Sequence, residues 1–280
     1  MFSTEDILES IERNNLRSIT REILKELGVK PLKRRGQNFT VDPRLLKEFR
    51  EIVSRLNCSS PVVEVGSGLG YLTIYLSDIC ERIISIEVDP RLCRFVKEIL
   101  REKSNIEILC GDAIEIIKDL DFRGLVGTIP YSITGPLIGS LTRSRASWAV
   151  IALQKDVVDR IISRPGDKRY GSVSVISRLY FDIDLGGIYP PNSFYPEPEV
   201  FTQVIIMRRK NEPEEFIDSF ERFLKCLFSQ RRKLLPKALK ICLGKYAEEK
   251  IPDHFKNERV YRLEPEEIKL IFLEIMKDKG

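Results

Sequence analysis

Short apolar segments alternate with helical segments between Asp42 and Leu153, and this alternation limits the fold more than any other feature of the chain. The segments between the apolar runs carry apolar residues at helical spacing. The strand candidates are Pro61–Val65, Arg82–Glu87, Ile106–Cys110, Gly124–Thr128 and Trp148–Leu153. Strands that are joined by helices pair in parallel, and a sheet covered on both faces is built from continuous apolar strands. The pattern therefore predicts an α/β fold with a parallel sheet between helices.

Both ends of the chain have a purely helical pattern. Residues 4–27 carry apolar side chains at helical spacing, and we expect one or two amphipathic helices there. Beyond one further predicted strand, Val200–Met207, the sequence is helical from Pro213 onwards. We predict three parts: an N-terminal helical extension, a central sheet domain and a C-terminal helical domain, with the ranges 1–30, 31–209 and 210–280.

Basic residues are concentrated in the C-terminal part of a nearly balanced chain. Lys and Arg total 46 against 42 Asp and Glu, a formal net charge of +4. Eight basic residues and no acidic one lie between Arg222 and Lys245. Such a stripe is typical of proteins that bind a polyanion, although it can also be the solvated face of a helix. Charge alone leaves both interpretations open.

The six cysteines and the single histidine argue against a metal site. No two cysteines form a C-x-x-C pair, and His254 is the only histidine in the sequence. We therefore expect no metal, and we expect the cysteines to be reduced, structural thiols of a cytoplasmic protein. High charge combined with only four glutamines is typical of a thermophilic source.

No segment has the length or composition of a membrane anchor or a secretory signal. Residues 1–6 are acidic and lack an apolar core, and the longest apolar stretch without charge, Ala146–Leu153, has the length of a strand. We expect a cytoplasmic protein that does not associate with membranes.

A glycine-rich turn follows the first predicted strand of the sheet, with glycines at positions 66, 68 and 70. Glycine lets a turn close tightly and lets main-chain N–H groups approach a ligand. The turn is not the dinucleotide-binding fingerprint, because that motif requires a third glycine where Tyr71 stands. Glu64, which precedes the first glycine, also departs from that fingerprint.

Carboxylates end the next two predicted strands. Glu87 is placed to accept hydrogen bonds from both hydroxyls of a ribose or to cap the following helix, and Asp89 before Pro90 fits the capping role better. Asp112 ends the third strand, where its carboxylate or its main chain could hold an adenine amino group. Because open α/β sheets bind ligands at the carboxyl ends of their strands, we expect a nucleoside site at this edge.

The stretch Thr128-Ile129-Pro130-Tyr131 indicates a strand that breaks at a proline and presents an aromatic ring beside a polar side chain. An enzyme that alkylates a planar amino group needs this arrangement, because the ring stacks on the base while polar groups hold the exocyclic nitrogen. A Pro-Tyr pair is also common in ordinary turns. The Pro-Tyr pair becomes evidence for such an enzyme only together with the motifs that precede it in the sequence.

The chain resembles the rRNA adenine N6,N6-dimethyltransferase family of small-subunit ribosome biogenesis. The matching segments run through most of the sequence in the family's order. Beyond the glycine turn and the Pro-Tyr motif they are Lys33–Phe39, Gln154–Val157, Arg164–Gly166, Tyr170–Gly171, Pro190–Pro196, Phe228–Lys233 and Arg259–Glu267. The resemblance implies a Rossmann-like S-adenosylmethionine-dependent methyltransferase sheet over 31–209 and a small all-helical RNA-binding domain over 210–280. It also implies S-adenosylmethionine as the methyl donor.

The resemblance further implies roles for individual residues. Residues expected at the cofactor are Gln37, Asn38 and Thr40 near its methionine end, Gly66 and Gly68 at the amino-acid group, Glu87 at the ribose, Asp112 at the adenine, and Thr128. Residues expected to face the target adenine are Thr128, Pro130 and Tyr131, with Phe194 closing over the other side of the base. Residues expected to contact RNA phosphates are Arg34, Arg35, Arg231, Arg232, Lys233 and Lys237.

The partners that the resemblance implies are small-subunit rRNA and the assembling small ribosomal subunit, with the protein acting as a monomer. Its reaction would dimethylate N6 of adenosines, two adjacent ones, near the 3′ end of that RNA. Such chemistry needs no catalytic His, Cys or Lys, because hydrogen-bond acceptors at the amino group and correct orientation suffice.

Two positions depart from the family pattern. Thr128 stands where the family usually has asparagine, and Arg35 stands where an apolar residue is more common. A threonine hydroxyl is a shorter acceptor than an asparagine carbonyl. We expect the Pro130 carbonyl to provide a second acceptor for the amino group.

Two other functions compete with small-subunit dimethylation. A large-subunit rRNA adenine methyltransferase of the resistance type shares the glycine and Pro-Tyr motifs, but Phe228–Lys233 argues against it. A ribosome-assembly factor that binds the cofactor and methylates poorly is favoured only by Thr128.

Overall fold

The structure, a computed structural model, describes residues 2–32, 36–56, 58–59 and 61–276. Its helices are α1 Thr4–Glu12, α2 Leu16–Glu26, α3 Pro43–Val53, α4 Tyr71–Leu76, α5 Pro90–Ile99, α6 Ala113–Ile116, α7 Thr134–Arg143, α8 Lys155–Ile161, α9 Ser172–Tyr180, α10 Ile217–Ser229, α11 Leu235–Leu243, α12 Lys245–Glu249 and α13 Pro265–Met276. Its strands are β1 Phe39–Thr40, β2 Val62–Val65, β3 Ile83–Glu87, β4 Ile106–Cys110, β5 Gly124–Thr128, β6 Trp148–Gln154, β7 Phe181–Tyr189, β8 Phe194–Tyr195 and β9 Thr202–Arg209.

Seven strands of the described residues form one sheet in the order β4-β3-β2-β5-β6-β9-β7. The strands from β4 to β6 in this order are parallel, and β9 is antiparallel to β6. In β2, Val63 pairs with Ile84 on one side and with Leu125 on the other. Every residue of β2 and β3 is buried, as expected for strands covered on both faces. The predicted α/β fold is confirmed.

The strand β7 is absent from the sequence-based prediction. It lies at the edge of the sheet, and its sequence contains two aspartates and the pair Gly186-Gly187. An edge strand can carry polar residues and glycine because one of its sides is not paired. Its composition therefore hides the apolar pattern by which the other strands are found.

Two Asp-Pro pairs fix the beginnings of the helices nearest the sheet's carboxyl edge. Asp42 accepts a hydrogen bond from the main-chain N–H of Arg44 at 3.0 Å, and α3 then begins at Pro43. Asp89 accepts one from the N–H of Arg91 at 3.1 Å, and α5 begins at Pro90. In each pair the aspartate satisfies an N–H that the first turn leaves without a partner, while proline is suited to the first helical position.

The N-terminal segment forms two helices, as predicted for residues 4–27. Ser3 caps α1 in a reciprocal arrangement with Asp6. The apolar face of the pair is buried, with Ile7 and Leu16 fully inaccessible to solvent. The Thr4 hydroxyl donates a 2.9 Å hydrogen bond to the carbonyl of Ile99 at the end of α5. The helices are therefore packed into the fold rather than attached loosely to it.

The chain divides into two compact units. The sheet unit comprises Met1–Lys155 and Ile183–Arg208, and the helical unit comprises Asp156–Asp182 and Arg209–Gly280. The sequence pattern assigns residues 156–182 to the central domain and separates residues 1–30 from it, so the compact units differ from the predicted ranges at both places. Within the second unit, the Tyr170 hydroxyl donates to the carbonyl of Leu263 at 2.9 Å. These tertiary contacts join segments that are distant in sequence.

The expectation that all cysteines are reduced is wrong. Disulfides join Cys93 to Cys110 and Cys226 to Cys242, with Cα–Cα distances of 5.7 and 5.8 Å. Cys58 and Cys80 are buried free thiols. Sequence spacing does not reveal these bonds, because the fold brings each pair together from two separate elements.

The described ranges contain neither a membrane-spanning helix nor a metal-binding cluster. No helix in them is long and apolar enough to cross a membrane. No group of three His, Cys, Asp or Glu side chains among the same residues is arranged to hold a metal ion.

Candidate active site

A cavity of about 270 Å³ opens at the carboxyl edge of the sheet. Its lining comes from residues 36–40 and from the loops that follow β2, β3, β4 and β5. The strand order reverses between β2 and β5, because the next strands along the chain after β2 lie on its other side. Open α/β sheets bind ligands at such a reversal. The topology and the cavity therefore identify one site.

The glycine loop after β2 needs Gly68 for two reasons. Its φ of +57° lies in the left-handed region, and a Cβ atom at this position would approach the ring of Phe39 at 3.2 Å. The N–H of Gly68 donates a 2.9 Å hydrogen bond to Oε2 of Glu87. The loop is thus fixed to the end of β3. Gly66 also lines the cavity and is exposed to it.

The Glu87 carboxylate is buried and receives hydrogen bonds on both oxygens. Oε1 accepts from the N–H of Asp89 at 2.8 Å, and Oε2 accepts from Gly68. Burial raises the pKa of Glu87, and these two N–H donors act against that rise. Each carboxylate oxygen has two lone pairs, so both can accept a further hydrogen bond from a ligand.

A second buried carboxylate, Glu64, forms part of the cavity lining. Its Oε2 accepts hydrogen bonds from the hydroxyls of Thr73 and Ser85, the latter at 2.6 Å. Ser85 also lies 2.8 Å from the hydroxyl of Ser67 in the glycine loop. Burial raises the pKa of Glu64 to about 7 despite these donors. The network links the glycine loop to β2, β3 and α4.

Residues 37–40 line the cavity on the side of β1. The Gln37 amide donates to Oδ2 of Asp89 at 3.3 Å, and its oxygen accepts from the N–H of Leu32 at 2.9 Å. Burial alone would raise the pKa of Asp89, but the hydrogen bonds from Arg91 and Gln37 lower it to about 2. Both the oxygen and the nitrogen of the Gln37 amide are therefore hydrogen-bonded within the protein. Asn38 also borders the cavity.

Thr40 provides an unsatisfied hydroxyl in the same wall. Its Oγ1 is buried and has no hydrogen-bond partner among the described residues. A buried hydroxyl without a partner costs free energy, commonly about 1–3 kcal/mol, unless a ligand satisfies it. This orphaned group indicates that the cavity is built around a polar molecule.

Asp112 and Val88 border the cavity from the loops after β4 and β3. Asp112 is exposed, and its Oδ1 accepts a 2.8 Å hydrogen bond from the N–H of Ile114, so it caps α6. Its second oxygen is available to a ligand. Val88 is 51% exposed, which is unusual for an apolar residue and suits contact with a flat ring.

The opposite side of the cavity is formed by the end of β5 and the turn that follows. Thr128 and Pro130 line it together with Ser132. A Cβ atom on Gly36 would come within 2.7 Å of the Pro130 Cβ, so only glycine permits this contact between the two motifs. Tyr131 begins a short 3₁₀ turn, Tyr131–Ile133.

The sequence predicts that the Pro130 carbonyl is a second acceptor for the target amino group, but in the structure it already accepts two hydrogen bonds from the protein. It accepts hydrogen bonds from the N–H of Ile133 at 3.2 Å and from the Thr134 hydroxyl at 3.4 Å. These bonds close the turn and the start of α7, so the carbonyl is less available to a ligand. Thr128 is consequently the more accessible acceptor of the pair.

Phe194 does not line the cavity. Its ring is 3% exposed and belongs to the hydrophobic core, while its main chain pairs with Thr40 across the small sheet of β1 and β8. The expected place of the ring, over a target base, is therefore not its place in this structure. A buried aromatic side chain gains more from core packing than from exposure in an open site.

The predicted phosphate contacts have different environments. Arg34 and Arg35 lie outside the described residues. Arg231 is half-buried, and its guanidinium donates to the carbonyls of Lys168 at 2.7 Å and Asp167 at 3.0 Å. It therefore supports the helical unit rather than presenting a cation. The exposed members of the set are Arg232, Lys233 and Lys237.

Sequence reasoning missed two contributors to the site, Glu64 and Val88. The sequence marks Glu64 as a departure from the dinucleotide fingerprint that fits the glycine turn of a methyltransferase, but its buried network with Ser85 and Ser67 has no linear motif. Val88 stands between the two carboxylates Glu87 and Asp89. Its exposure at the end of β3, which is unusual for an apolar residue, is the feature that identifies it as part of the site. Each depends on burial or exposure, which a single sequence does not contain.

The cavity contains the group types that a nucleoside with an attached amino acid requires. Glu87 has acceptor capacity for vicinal hydroxyls, the glycine loop has main-chain donors, and Val88 offers apolar surface to a ring. On the other side, Thr128 places a hydroxyl where a second molecule would meet the first. The arrangement suits group transfer between a nucleoside cofactor and a flat acceptor.

Comparison with known proteins agrees with this geometry. The sequence profile of the family described as ribosomal RNA adenine dimethylase matches residues 30–277. The chain is 33% identical over 233 residues to the ribosomal RNA small subunit methyltransferase A of Syntrophus aciditrophicus, covering 78% of this chain and 82% of that protein. It is 35% identical over 237 residues to the probable ribosomal RNA small subunit methyltransferase A of Pyrobaculum islandicum, covering 84% and 92%.

Two solved structures share the fold. A dimethyladenosine transferase from Plasmodium falciparum aligns with a TM-score of 0.74 at 24% identity, covering 85% of this chain and 98% of that one. The 23S rRNA methyltransferase ErmE aligns with a TM-score of 0.60 at 23% identity, covering 85% and 99%. Because the family profile spans most of the sequence and both curated relatives align over most of its length, the chain belongs to the ribosomal RNA adenine dimethylase family.

Proposed function

We propose that this enzyme, an S-adenosylmethionine-dependent rRNA adenine dimethyltransferase, acts on adenosines near the 3′ end of small-subunit rRNA during subunit assembly. It would convert two adjacent adenosines to the N6,N6-dimethyl form. One observation carries the proposal: the glycine loop, Glu87 and Thr128 line a single cavity at the strand reversal of the sheet. Both relatives described above are named small subunit methyltransferases, which favours this RNA over the large-subunit one.

The residues of the cavity fit S-adenosylmethionine, which supplies an electrophilic methyl group when bound. Glu87 would accept hydrogen bonds from the ribose hydroxyls, and the loop of Gly66 and Gly68 would hold the amino-acid group. The unsatisfied Thr40 hydroxyl, with Gln37 and Asn38 nearby, would serve the methionine end. Asp112 would accept from the adenine amino group, with Val88 against the ring.

The task of the opposite wall is to hold the amino group of the target base. The N6 lone pair of adenine is delocalised into the ring, so an acceptor bonded to an N6 hydrogen favours the pyramidal nitrogen that attacks. Thr128 would supply this acceptor, because hydrogen bonds of the turn occupy the Pro130 carbonyl. Tyr131 would stack on the base. Phe194 would stack on the other face only if its ring leaves the core.

The helical unit would contact the RNA backbone. Arg232, Lys233 and Lys237 are exposed cations in a region without acidic residues, and RNA binding depends strongly on such phosphate contacts. The target base has to leave its stack, which costs least in a single-stranded loop or helix end. We further propose that the enzyme works as a monomer in the cytoplasm.

Methyl incorporation into purified ribosomal subunits tests the proposal. The enzyme with radiolabelled S-adenosylmethionine should label small subunits that lack the modification and should leave large subunits unlabelled. Label in large subunits alone would support the resistance-type function. Cofactor binding without label in either subunit would support an assembly factor.

A further inference from the structure

The helix α2 is joined to the segment that carries Phe194 by an arginine at its first turn. Arg17 donates from Nη2 to the carbonyl of Asn192 at 2.5 Å and to the carbonyl of Phe194 at 3.2 Å. Its other terminal nitrogen lies 3.3 Å from a carboxylate oxygen of Glu197. One guanidinium thus contacts three residues of a six-residue stretch, in the fork geometry that arginine provides.

A second arginine of the same helix reinforces this attachment. The Arg21 guanidinium lies over the ring of Tyr195, 5.2 Å from its centroid. A cation in this position is attracted to the negative face of the aromatic ring. Arg17 and Arg21 are four positions apart, so they lie on one face of α2. We call these two residues together with Asn192–Glu197 the α2 clasp.

Arg17 and Arg21 contact the Asn192–Glu197 segment on the side opposite β1. Phe194 pairs with Thr40 and Tyr195 with Phe39, and the Ser193 hydroxyl donates to Asp42 at 2.8 Å. These contacts alone leave the outer carbonyls of the segment to solvent or to α2. Arg17 donates hydrogen bonds to two of those carbonyls, so removing its side chain would release one side of the segment.

The helix α2 is itself fixed to the cofactor side of the fold. Ile19 and Ile23 are buried, and the Thr20 hydroxyl lies 2.8 Å from the hydroxyl of Tyr71, a residue of the cavity lining. The family profile begins at residue 30, after this helix. Membership of the family therefore does not by itself assign α2 a part in the reaction.

We propose that Arg17 is a positioning residue, which holds the Phe194 segment in the geometry that methyl transfer to RNA requires. The inference rests on the proposed function, because the segment pairs with Phe39 and Thr40 of the cavity lining and carries the Phe194 ring proposed to meet the target base. Residues 190–197 contribute nothing to the cavity that would hold the cofactor. Losing the clasp should therefore affect the RNA reaction and spare cofactor binding.

The test compares Arg17→Met with Arg17→Lys and with Arg13→Met. Arg13 directly follows α1, and its side chain forms a surface ion pair with Glu9, which makes it a matched control. For Arg17→Met we expect kcat/KM for unmodified small subunits to fall about 10- to 100-fold, as misplaced groups commonly cause. The Kd for S-adenosylmethionine should stay within about twofold. Lysine can satisfy one carbonyl but not the fork, so Arg17→Lys should recover part of the loss.

Hydrogen–deuterium exchange provides a readout that does not depend on activity. In Arg17→Met, main-chain amides of residues 192–204 should exchange about tenfold faster than in the wild type, while those of β2 and β3 stay protected. Arg13→Met should change neither measurement.

Three outcomes would overturn the inference: unchanged exchange in the segment, unchanged kcat/KM, or a cofactor Kd that weakens as much as kcat/KM falls. The last would mean that Arg17 stabilises the whole unit. If the wild type itself transfers no methyl group, the proposed function fails, and exchange together with subunit binding still decides whether Arg17 holds the segment for RNA.

Discussion

The main-chain N–H of Gly68 donates a hydrogen bond to Oε2 of Glu87 across 2.9 Å, and this bond joins the glycine loop to the end of β3. It gives the carboxylate two tasks, because the same group that would meet the ribose also fixes the loop that would meet the amino-acid end. The two halves of the cofactor site are therefore coupled. A substitution at Glu87 should therefore weaken cofactor contacts at both the ribose and the amino-acid group.

Replacing Glu87 with glutamine should weaken S-adenosylmethionine binding about 10- to 100-fold. The amide keeps the shape but loses the charge, and hydrogen bonds to a charged group contribute about 1.5–3 kcal/mol. Isothermal titration in the absence of RNA measures this effect. Glu107→Gln is the control, since Glu107 forms a surface pair with Arg82 on the neighbouring strand. Equal affinity of Glu87→Gln and the wild type would remove Glu87 from the ribose role.

The hydroxyl of Thr128 should contribute to the chemical step. Thr128→Val keeps the shape and removes the acceptor, and because the Pro130 carbonyl is occupied we expect single-turnover transfer to slow by about 100-fold, as in oxyanion-hole deletions. Cofactor binding should change little. Thr128→Asn should keep or raise the rate by restoring the longer acceptor usual in the family. A valine variant as fast as the wild type would show that position 128 has no electrostatic part.

The exposed lysines of the helical unit should carry the salt dependence of RNA binding. Lys233→Gln combined with Lys237→Gln should reduce the slope of log affinity against log salt by about 0.7–0.9 per lost phosphate contact. Lys97→Gln with Lys103→Gln, two exposed lysines of the sheet unit, is the control. The half-buried Arg231 differs, because its replacement should lower the stability of the unit. A double lysine variant with the parental slope would leave these residues as a solvated helix face.

Glu64 should make the protein less stable as the pH rises. Its pKa of about 7 in the folded state exceeds its ordinary value of 4.5, because burial disfavours the charged form. The folded protein then binds the proton more tightly than the unfolded chain. The contribution to the free energy of unfolding is complete below pH 4.5 and is lost as the pH rises to about 7, up to about 3 kcal/mol.

Urea unfolding at about pH 5 and about pH 8 measures this loss, with Glu64→Gln as the comparison. The glutamine cannot titrate but can still accept from Thr73 and Ser85. The free energy of unfolding of the wild type should therefore fall between the two pH values by more than that of the variant. Parallel values for the two proteins would mean that Glu64 has an ordinary pKa.

The sheet could be predicted because its information is local. Each parallel strand is a mostly apolar run, and a glycine or a carboxylate stands at the end of β2, β3 and β4, so β2 to β6 and the carboxyl edge follow from one pass along the sequence. The motif residues Gly68, Glu87 and Thr128 then meet by topology alone. No contact between distant side chains is needed for that conclusion.

The features that the sequence did not predict depend on burial and on contacts between distant segments. An aromatic side chain such as that of Phe194 is compatible with a core and with a binding surface, and only the packing of the folded chain distinguishes the two. In the sequence, Arg231 is one of several basic residues in a run and is expected to contact phosphates. In the structure its guanidinium donates to main-chain carbonyls. The disulfide Cys93–Cys110 joins a helix to a strand that lie side by side only after folding.

The central claim is that this cavity transfers two methyl groups to N6 of adenosines in small-subunit rRNA. Its most direct test is mass spectrometry of nucleosides from a fragment covering the 3′ end, after unmodified small subunits react with the wild-type enzyme and S-adenosylmethionine. We predict that two N6,N6-dimethyladenosines appear per subunit and that both form about 100-fold more slowly with Thr128→Val under single-turnover conditions. Dimethyladenosine absent from the fragment, although the cofactor binds, would contradict the account.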